Sequence, residues 1–519
     1  MGKPISFGAL DFKVVASMDE VRSKPEAGTP FRICMIGDFS GRTNRASAPV
    51  ELRPVEVDRD NIEGVMEKLG VGVPVAVPGN AGPPIDVEFS ELDDFHPEKL
   101  YERLGVFQKL RDTRKRLNDL RTFESARQEV QGWGGIIEPP ESPKSVSVPP
   151  GDGPESPGTG SPSLLDQIMD EAEDRPMEAS NVSAPSEWDV FMKRIVGPHL
   201  IPGDDPGQGA LVATVDASIS GLMDVVLHDP GFQALEAAWR ALYFLVHRTE
   251  TDALLKVYLL DMTKAELAED LNRWDDLEKT AIYRLFVAQA VGTPGGESWA
   301  VLAGNYTFDQ TREDAETLGR TARIARLAGA PFIAAAHAHL LGCDSLAGTP
   351  DPHDWTPRVD GDDARAWKAL RGLPEASYLG LGVPRFLLRL PYGEDSDPVG
   401  YFDFEEISGG SGHENYLWGN PSFACAMLLA QAFTRYGWDL RPGVILDIQG
   451  LPLHVYKEDG EFVTKPCAEV LVTEGALEKI LDLGVMLFLS YKNQDTVRLA
   501  RFQSLADPLA QLAGPWGDK

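Results

Sequence analysis

FRICMIGDF (Phe31–Phe39) is a mostly apolar run that stops at a glycine and an aspartate. A run of this length bounded by turn residues predicts a buried strand, with the turn at Gly37 and Asp38. The next segment, VEVDRDNIEGVMEKL, predicts a strand that enters a helix. Asp58 or Asp60 is the predicted N-cap of that helix, because aspartate accepts the free N–H groups of a first turn.

Two further patterns complete this part of the chain. In PIDVEFSEL (Pro84–Leu92) apolar residues alternate, which predicts a half-buried strand. HPEKLYERLGVFQKLRDTRKRL then predicts a long amphipathic helical stretch. Together these elements predict a small α+β domain over residues 1–133.

Residues 134–187 are rich in Pro, Gly, Ser and acidic residues and contain few aromatics. This composition cannot offset the entropy of ordering, so we expect a flexible, disordered linker. One island, SLLDQIMDEAE, predicts a short helix at 163–174. Its apolar stripe consists of Leu164, Leu165, Ile168 and Met169. An isolated helix of this length is marginal in water, so it either docks on the following domain or binds a groove on a partner.

Residues 188–519 alternate between helix and strand patterns. DPGFQALEAAWRALYFLVHRT (Asp229–Thr249) predicts a helix, because its apolar residues recur at three- and four-residue spacing. LLKVYLLDM predicts a strand, and TKAELAEDL predicts a capped helix that starts near Thr263. The expected fold class is α/β or α+β, with two mixed α/β domains, one of them holding a substantial sheet.

The net charge, the cysteine count and the hydropathy pattern disfavour several classes of function. A formal charge of −31 disfavours a nucleic-acid partner, because an acidic chain repels phosphate. The four cysteines, Cys34, Cys343, Cys425 and Cys467, form no CxxC and are expected to be buried thiols in a reducing compartment. No signal peptide and no uninterrupted apolar span of about 18 residues is evident, so a cytoplasmic protein without membrane insertion is expected.

Candidate chemistry is sparse. GTPGGESW lacks a phosphate-binding lysine and predicts a hairpin turn. The two histidines of AHAH (Ala336–His339) stand at i and i+2, which do not share a helix face, so capping or core roles are favoured over a metal site. FDFEE places acids near His413, but without a recognisable set of partners. We therefore predict no catalytic residues, no metal and no cofactor, which favours a structural role.

The first domain resembles the small subunit (TssB/VipA type) of the type VI secretion contractile sheath. FRICMIGDFSGR, VEVDRDNIEGVM and VEFSELDDFHPEKL carry this resemblance. The motif residues are Gly37, Asp38, Asp94, Phe95, His96 and Pro97.

The second domain resembles the large subunit (TssC/VipB type) of the same sheath. DPGFQALEAAWRALYFLV, VPRFLLRLPYG, FDFEE, YLWGNPSFACAMLLAQAFTRYGW and LSYKN occur in the order typical of that family. The motif residues are Trp239, Arg240, Pro384, Arg385, Arg389, Pro391, Tyr392, Gly393, Glu405, Glu406, Trp418, Gly419 and Trp438. The tryptophans are expected to be core anchors, and Arg385, Arg389, Glu405 and Glu406 are candidate ion pairs, because buried charges must be paired.

The resemblance implies two usually separate subunits fused in one chain, forming a bacterial cytoplasmic sheath around an inner tube and driving it by contraction. It implies as partners other sheath subunits, the inner tube protein, the baseplate and an AAA+ unfoldase that recycles contracted sheath. The resemblance also implies that the predicted helix at 163–174 corresponds to the N-terminal helix of the large subunit, which is the segment that the unfoldase grips. Large subunits of the family continue past the position of QSLADP, whereas this sequence ends at Lys519, so a shortened second domain is expected.

Two alternatives remain open at this point. The first is a sheath-like adaptor, cap or assembly factor that does not polymerise. The second is an enzyme of unknown chemistry on a sheath-like fold, because a fold alone does not determine function.

Overall fold

The structure is a computed structural model that describes residues 5–8, 25–26, 28–44, 52–76, 84–133, 187–200, 207–293, 295–356, 361–407, 412–458 and 460–516. The predicted linker lies outside this description as far as residue 186. The same is true of the predicted helix at 163–174 with Leu164, Leu165, Ile168 and Met169. The chain divides into two compact units. The larger comprises residues 1–77, 84–110 and 219–519, and the smaller comprises 78–83 and 111–218.

One nine-stranded sheet organises the larger unit. In chain order the strands are β1 (Phe31–Gly37), β2 (Val55–Val57), β3 (Val71–Val75), β4 (Ile85–Phe89), β5 (Leu255–Asp261), β6 (Val301–Phe308), β7 (Phe332–Ala336), β8 (Leu379–Val383), β9 (Phe386–Leu387), β10 (Trp418–Gly419), β11 (Asp447–Ile448), β12 (Val455–Glu458), β13 (Glu461–Thr464), β14 (Val485–Ser490) and β15 (Val497–Leu499). Across the sheet the order is β11-β15-β14-β8-β7-β6-β1-β5-β2, and the other strands form the pairs β3-β4, β9-β10 and β12-β13.

The sheet is parallel in its interior and antiparallel at its edges. The strands β14-β8-β7-β6-β1-β5 run parallel, and β2, β15 and β11 pair in the antiparallel sense. Parallel strands are covered on both faces, which explains why β7 (FIAAA) and β8 (LGLGV) carry no polar side chain. The predicted mixed α/β class with one substantial sheet is confirmed.

The position of β1 differs from the sequence-based division into two separate domains. β1 belongs to the first predicted domain, yet it lies between β5 and β6 in the sheet of the following part of the chain. Local pattern predicts that β1 is a buried strand but carries no information on its partners, because strand pairing is set by distant segments.

The helices of the described residues are distributed over the two units. They are α1 (Ile62–Leu69), α2 (Pro97–Arg103), α3 (Gly105–Asn118), α4 (Phe123–Gly132), α5 (Glu187–Val196), α6 (Gln208–Leu227), α7 (Pro230–His247), α8 (Lys264–Asn272), α9 (Ala281–Tyr283), α10 (Arg312–Ala328), α11 (Gly361–Arg371), α12 (Pro421–Tyr436) and α13 (Glu474–Asp482). In the smaller unit, α3 and α6 are joined by two hydrogen bonds from Arg114 to Asp216, at 2.5 and 3.2 Å.

Helix starts follow local sequence in most places. The Asp229 side chain accepts two N–H groups of the first turn of α7. The helix predicted to start near Thr263 is α8, and Thr263 caps it through a capping box. The predicted cap of α1 is wrong: Asn61 holds the N-cap position. Asp58 instead accepts the N–H groups of Asp60 and Asn61 and closes the turn before the helix.

Helix α6 has the length and apolar composition of a membrane-spanning helix. Half of its most apolar window is buried within the protein, and core helices of soluble proteins meet the same criterion of length and composition.

Candidate functional site

The candidate functional site is the region where the N-terminal part of the chain, as far as Leu110, joins the large sheet. β1 pairs with β5 from Phe31 to Gly37 and with β6 from Ile33 to Ile36. Both edges of the strand are therefore hydrogen-bonded to segments that are distant in the chain. The side chains of Ile33, Cys34 and Met35 are 0% exposed.

Both faces of β1 are packed as well. Phe31 stacks on Phe433 of α12 at 4.7 Å between ring centroids, and Trp438 lies 5.4 Å from it. Trp438 Nε1 donates to the backbone carbonyl of Thr29 at 2.8 Å. On the opposite face, Cys34 belongs to the central apolar cluster, and burial raises the pKa of its thiol. All four cysteines are buried free thiols, as predicted.

The loop GDFSGR after β1 is held by two carboxylates. Asp38 accepts the backbone N–H groups of residues 41–43 at 2.8–2.9 Å. Asp261, at the end of β5, accepts those of residues 39 and 40 at 2.9 and 3.1 Å. In nucleotide-binding α/β folds the N–H groups after the first strand bind phosphate. Here the side chains of the protein itself occupy them.

Two residues of this loop fix its path. Arg42 donates to the backbone carbonyl of Asp261 at 2.7 Å and to Glu266 of α8 at 3.1 Å. Gly41 adopts a φ of +80°, and a Cβ at this position would lie 2.1 Å from the carbonyl oxygen of Gly72. Only glycine combines this backbone conformation with such a close approach.

Aromatic side chains connect the N-terminal part of the chain to α7. Trp239 is fully buried, and its Nε1 donates to the carbonyl of Phe39 at 2.7 Å. Phe232 of α7 makes edge contacts at 5.6 Å with both Phe89 and Phe95. Buried aromatic pairs of this geometry stabilise an interface beyond their area.

The DFHP motif begins α2. Asp94 accepts the N–H groups of Ser90 and Glu91, at 2.7 and 3.2 Å, and contacts Arg103. Burial tends to raise the pKa of Asp94, but these hydrogen bonds hold it below its usual value. His96 caps α2 ahead of Pro97, and its ring meets that of Tyr392 edge-on at 4.9 Å. The motif thus connects α2 to the segment VPRFLLRLPYG.

Arg389 connects two buried carboxylates. It donates to Glu236 at 2.8 and 3.2 Å and to Glu406 at 2.7 and 2.9 Å. Arg240 donates to Glu236 at 2.6 Å and to the hydroxyl of Tyr392 at 3.0 Å. The side chains of Glu236 and Glu406 are 0% and 1% exposed. These residues form what we call the Arg389 network.

Glu406 of the Arg389 network and the neighbouring His228 are held in their charged forms. Burial alone would raise the pKa of Glu406, but the charge of Arg389 lowers it to about 2. His228 lies 3.0 Å from Asp224 and 3.7 Å from Glu406. Burial disfavours its cation, but these carboxylates raise its pKa to about 9. A charged buried network of this kind requires every member to be present.

Arg385 belongs to a second network. Its side chain donates to Glu469 at 2.9 and 2.6 Å and to Glu414 at 3.1 and 3.3 Å. His413 Nε2 lies 3.2 Å from Glu469, and Nζ of Lys465 lies 2.9 Å from His413 Nδ1. Of the four charges considered as ion pairs, only Arg389 and Glu406 therefore pair with each other.

The remaining motif residues shape loops. Glu405 accepts the backbone N–H of Glu394 at 2.8 Å. A Cβ at Gly393 would lie 2.3 Å from the carboxylate of Glu405. Pro384 follows a cis peptide bond, and the carbonyl of Pro391 accepts a side-chain hydrogen bond at 2.5 Å. Further, a Cβ at Gly419 would lie 2.9 Å from Leu388, and Trp418 Nε1 donates to the carbonyl of His413 at 2.8 Å.

Glu236, Asp261 and Glu469 are among the residues of the site that were not predicted. Glu236 had a usable signal: it lies four residues after Phe232 and three before Trp239, on the apolar stripe of α7, where an acid needs a partner. Asp261 and Glu469 had none, since an acid at the end of a strand or in a loop is ordinary.

Two family models match the chain. The model described as "EvpB/VC_A0108, tail sheath N-terminal domain" matches residues 209–506. The model described as "Type VI secretion system, VipA, VC_A0107 or Hcp2" matches residues 15–132. β1 lies within the second match, and its partners β5 and β6 lie within the first.

Two curated proteins of Pseudomonas aeruginosa (strain PAO1) are similar. The "Type VI secretion system sheath protein TssC1" is 35% identical over 308 residues, which cover 58% of this chain and 61% of that protein. The "Type VI secretion system sheath protein TssB1" is 26% identical over 99 residues, which cover 18% of this chain and 58% of that protein. The chain thus spans about three fifths of the length of the curated relatives it matches.

Proposed function

Because the chain belongs to the EvpB/VC_A0108 tail sheath family, we propose that it is a structural subunit of the contractile sheath of a type VI secretion system. In this proposal one polypeptide supplies the parts that TssB1 and TssC1 carry on separate chains. The observation that carries it is the position of β1, hydrogen-bonded on both edges and buried on both faces by the TssC1-like part.

The proposal extends to partners and location. The chain would assemble with further copies of itself around an inner tube protein, on a baseplate, in the bacterial cytoplasm. The helix at 163–174, with Leu164, Leu165, Ile168 and Met169, would serve as the handle for an AAA+ recycling unfoldase. Fusion keeps the two parts at high effective concentration and fixes their ratio.

We also propose that the protein acts without covalent chemistry of its own. The backbone N–H groups after β1 are taken by Asp38 and Asp261. His413, which an enzyme on this fold could use, is engaged by Glu469 and Lys465. Hydrolase activity that disappears on replacing His413 or Glu405 would contradict this part of the proposal.

Electron microscopy of the purified full chain tests assembly. Long hollow tubes are the expected result. Discrete particles at high protein concentration would contradict the sheath role and favour an adaptor, cap or assembly factor.

Cleavage of the linker tests the shared sheet. With a protease site inserted after Gly151, the two fragments are expected to co-elute after cutting, because β1 remains paired with β5 and β6. Ile33→Asp should separate the fragments, since this side chain is 0% exposed. Leu120→Asp is the matched control, because Leu120 is 86% exposed. Separation of the unmodified fragments would refute the shared sheet.

The handle is tested by a double variant. Leu165→Asp with Ile168→Asp should abolish capture by the unfoldase without changing the circular dichroism of the folded protein. Asp170→Asn, off the apolar stripe, is the control. Unchanged capture of the double variant would refute the assignment.

A further inference from the structure

Three side chains with metal-ligating atoms meet where two parallel strands end. β6 ends at Phe308 and β7 ends at Ala336, so Asp309 and His337 are the first residues beyond each strand. The two strand ends are joined by a hydrogen bond from the N–H of His337 to the carbonyl of Phe308, at 2.8 Å. Ligand sites in α/β sheets lie in the crevice outside the carboxyl ends of parallel strands.

The sequence argument about AHAH predicted capping roles, which His337 has, but its premise about helix faces does not apply to this backbone. It assumed an α-helix, in which residues i and i+2 face apart. Here His337 is an extended N-cap with φ −75° and ψ 149°, and a 3-10 helix follows at Ala338–Leu341. The rings of His337 and His339 consequently lie on the same side, with centroids 4.0 Å apart.

The ligand atoms converge and are oriented from outside. One ligand atom from each of Asp309, His337 and His339 lies within 4.8 Å of the other two. Nδ1 of His337 accepts the backbone N–H of His339 at 3.2 Å, which fixes this ring and leaves Nε2 for a ligand. Nδ1 of His339 lies 2.7 Å from Asp309, and its Nε2 lies 3.3 Å from Asp344. Asp344 is therefore the carboxylate that orients His339 from the side opposite Asp309, an arrangement typical of metal-ligating histidines.

A cavity of about 290 Å³ opens beside the cluster. His337, Asp344, Arg385 and Glu414 are among the residues that line it. The three side chains are only half-buried, so an ion and its exchangeable ligands can reach them.

We propose that Asp309, His337 and His339 form a binding site for a divalent transition metal ion, with an open coordination position toward this cavity. Two imidazoles and one carboxylate form a donor set suited to Zn²⁺ or Co²⁺. Bonds of about 2.0–2.1 Å in a tetrahedral site separate ligand atoms by roughly 3.3 Å, so the side chains close by about 1.5 Å at most. The site is independent of the sheath assignment.

Titration of the full chain with Co²⁺, followed by visible absorption, tests the site directly. One equivalent should bind with the visible bands of four-coordinate cobalt and without the intense charge-transfer band of thiolate ligation, because the four cysteines are buried. Competition with Zn²⁺ should remove the bands. Absence of such bands, or bands accompanied by thiolate ligation, would overturn the proposal.

Variants separate a metal site from an ordinary ion pair. His337→Asn keeps an acceptor for the helix cap while removing the imidazole, and His339→Gln removes the second one. Each should weaken Co²⁺ binding by about 10- to 100-fold or more. His353→Ala should leave it unchanged, because the side chain of His353 is 88% exposed and lies at the surface, 2.8 Å from Asp351. Equal binding by folded His337→Asn and the unmodified chain would refute the site.

Discussion

Replacing Arg389 by methionine is the sharpest test of the buried charges. Arg389 makes four hydrogen bonds to Glu236 and Glu406, which have no direct access to water. Without the guanidinium, two carboxylates remain close together, neutralised only in part by Arg240 and His228. Breaking a buried pair by removing one partner costs about 3–5 kcal/mol.

The pKa of Glu406 supplies a second route to the magnitude. It falls from 4.5 to about 2 in the folded protein. Each pKa unit corresponds to roughly 1.4 kcal/mol, so the difference between these two pKa values stabilises the ionised carboxylate in the folded protein by about 3 kcal/mol. This figure includes the hydrogen bonds from His228 and the Tyr392 N–H, and it is of the same order as the cost of breaking a buried pair. We therefore expect Arg389→Met to lower the free energy of unfolding by about 3–5 kcal/mol.

Urea denaturation at neutral pH, followed by circular dichroism and tryptophan fluorescence, measures this loss. Arg389→Met, Glu406→Gln and the double variant complete a cycle, and the double variant should lose much less than the sum of the single losses. Arg498→Met is the matched control. Arg498 pairs with Asp447 at 2.9 Å, but both side chains are 44% exposed, so its loss should stay below about 1 kcal/mol. Equal losses for Arg389→Met and Arg498→Met, or additive losses in the cycle, would refute the reasoning.

Three further outcomes are expected from the same denaturation assay. Gly41→Ala should lower the free energy of unfolding by more than about 2 kcal/mol, because the new Cβ would lie 2.1 Å from a carbonyl oxygen. Gly70→Ala, at φ +61° with open space around it, should lower it by about 1 kcal/mol. Equal losses for the two variants would contradict the close approach at Gly41. Folding raises the pKa of His228 from 6.5 to about 9, so its contribution to stability is complete below pH 6.5 and is lost as the pH rises through 9. In the unmodified protein the free energy of unfolding should therefore decline by about 3 kcal/mol over that window, and His228→Gln should remove this decline. An unchanged pH profile would exclude the charged state of His228. Trp239→Phe retains an aromatic side chain but leaves the buried carbonyl of Phe39 without its hydrogen-bond donor, so it should lower the free energy of unfolding by about 1–3 kcal/mol. A loss below about 0.5 kcal/mol would show that this hydrogen bond is dispensable.

Local elements of the fold were predictable because their causes are local. The apolar stripe of α7 and the cap near Thr263 depend on residues three and four positions apart, and both were predicted. The cap of α1 was placed on an aspartate although Asn61 holds the position, because turn and cap use the same residue types.

Long-range partners were not predictable in the same way. That Arg389 bonds to Glu236, far earlier in the chain, follows from tertiary packing and not from any spacing in the sequence. The same holds for β1, whose pattern specifies burial but not the neighbours β5 and β6. The family motifs GDFSGR and VPRFLLRLPYG indicated which residues matter, and the structure supplies their contacts.

The place of β1 in the middle of the sheet has a consequence for biosynthesis. Arg32 of β1 donates to the carbonyl of Glu297, just before β6, across a sequence separation of 265. At about 5–20 residues per second, the ribosome delivers that segment roughly 15–50 s after β1 emerges. During this interval both edges of the apolar strand β1 lack their partners β5 and β6, and an unpaired strand edge is prone to pair with the wrong segment. The sheet can therefore close around β1 only after β5 and β6 of the same chain have been synthesised.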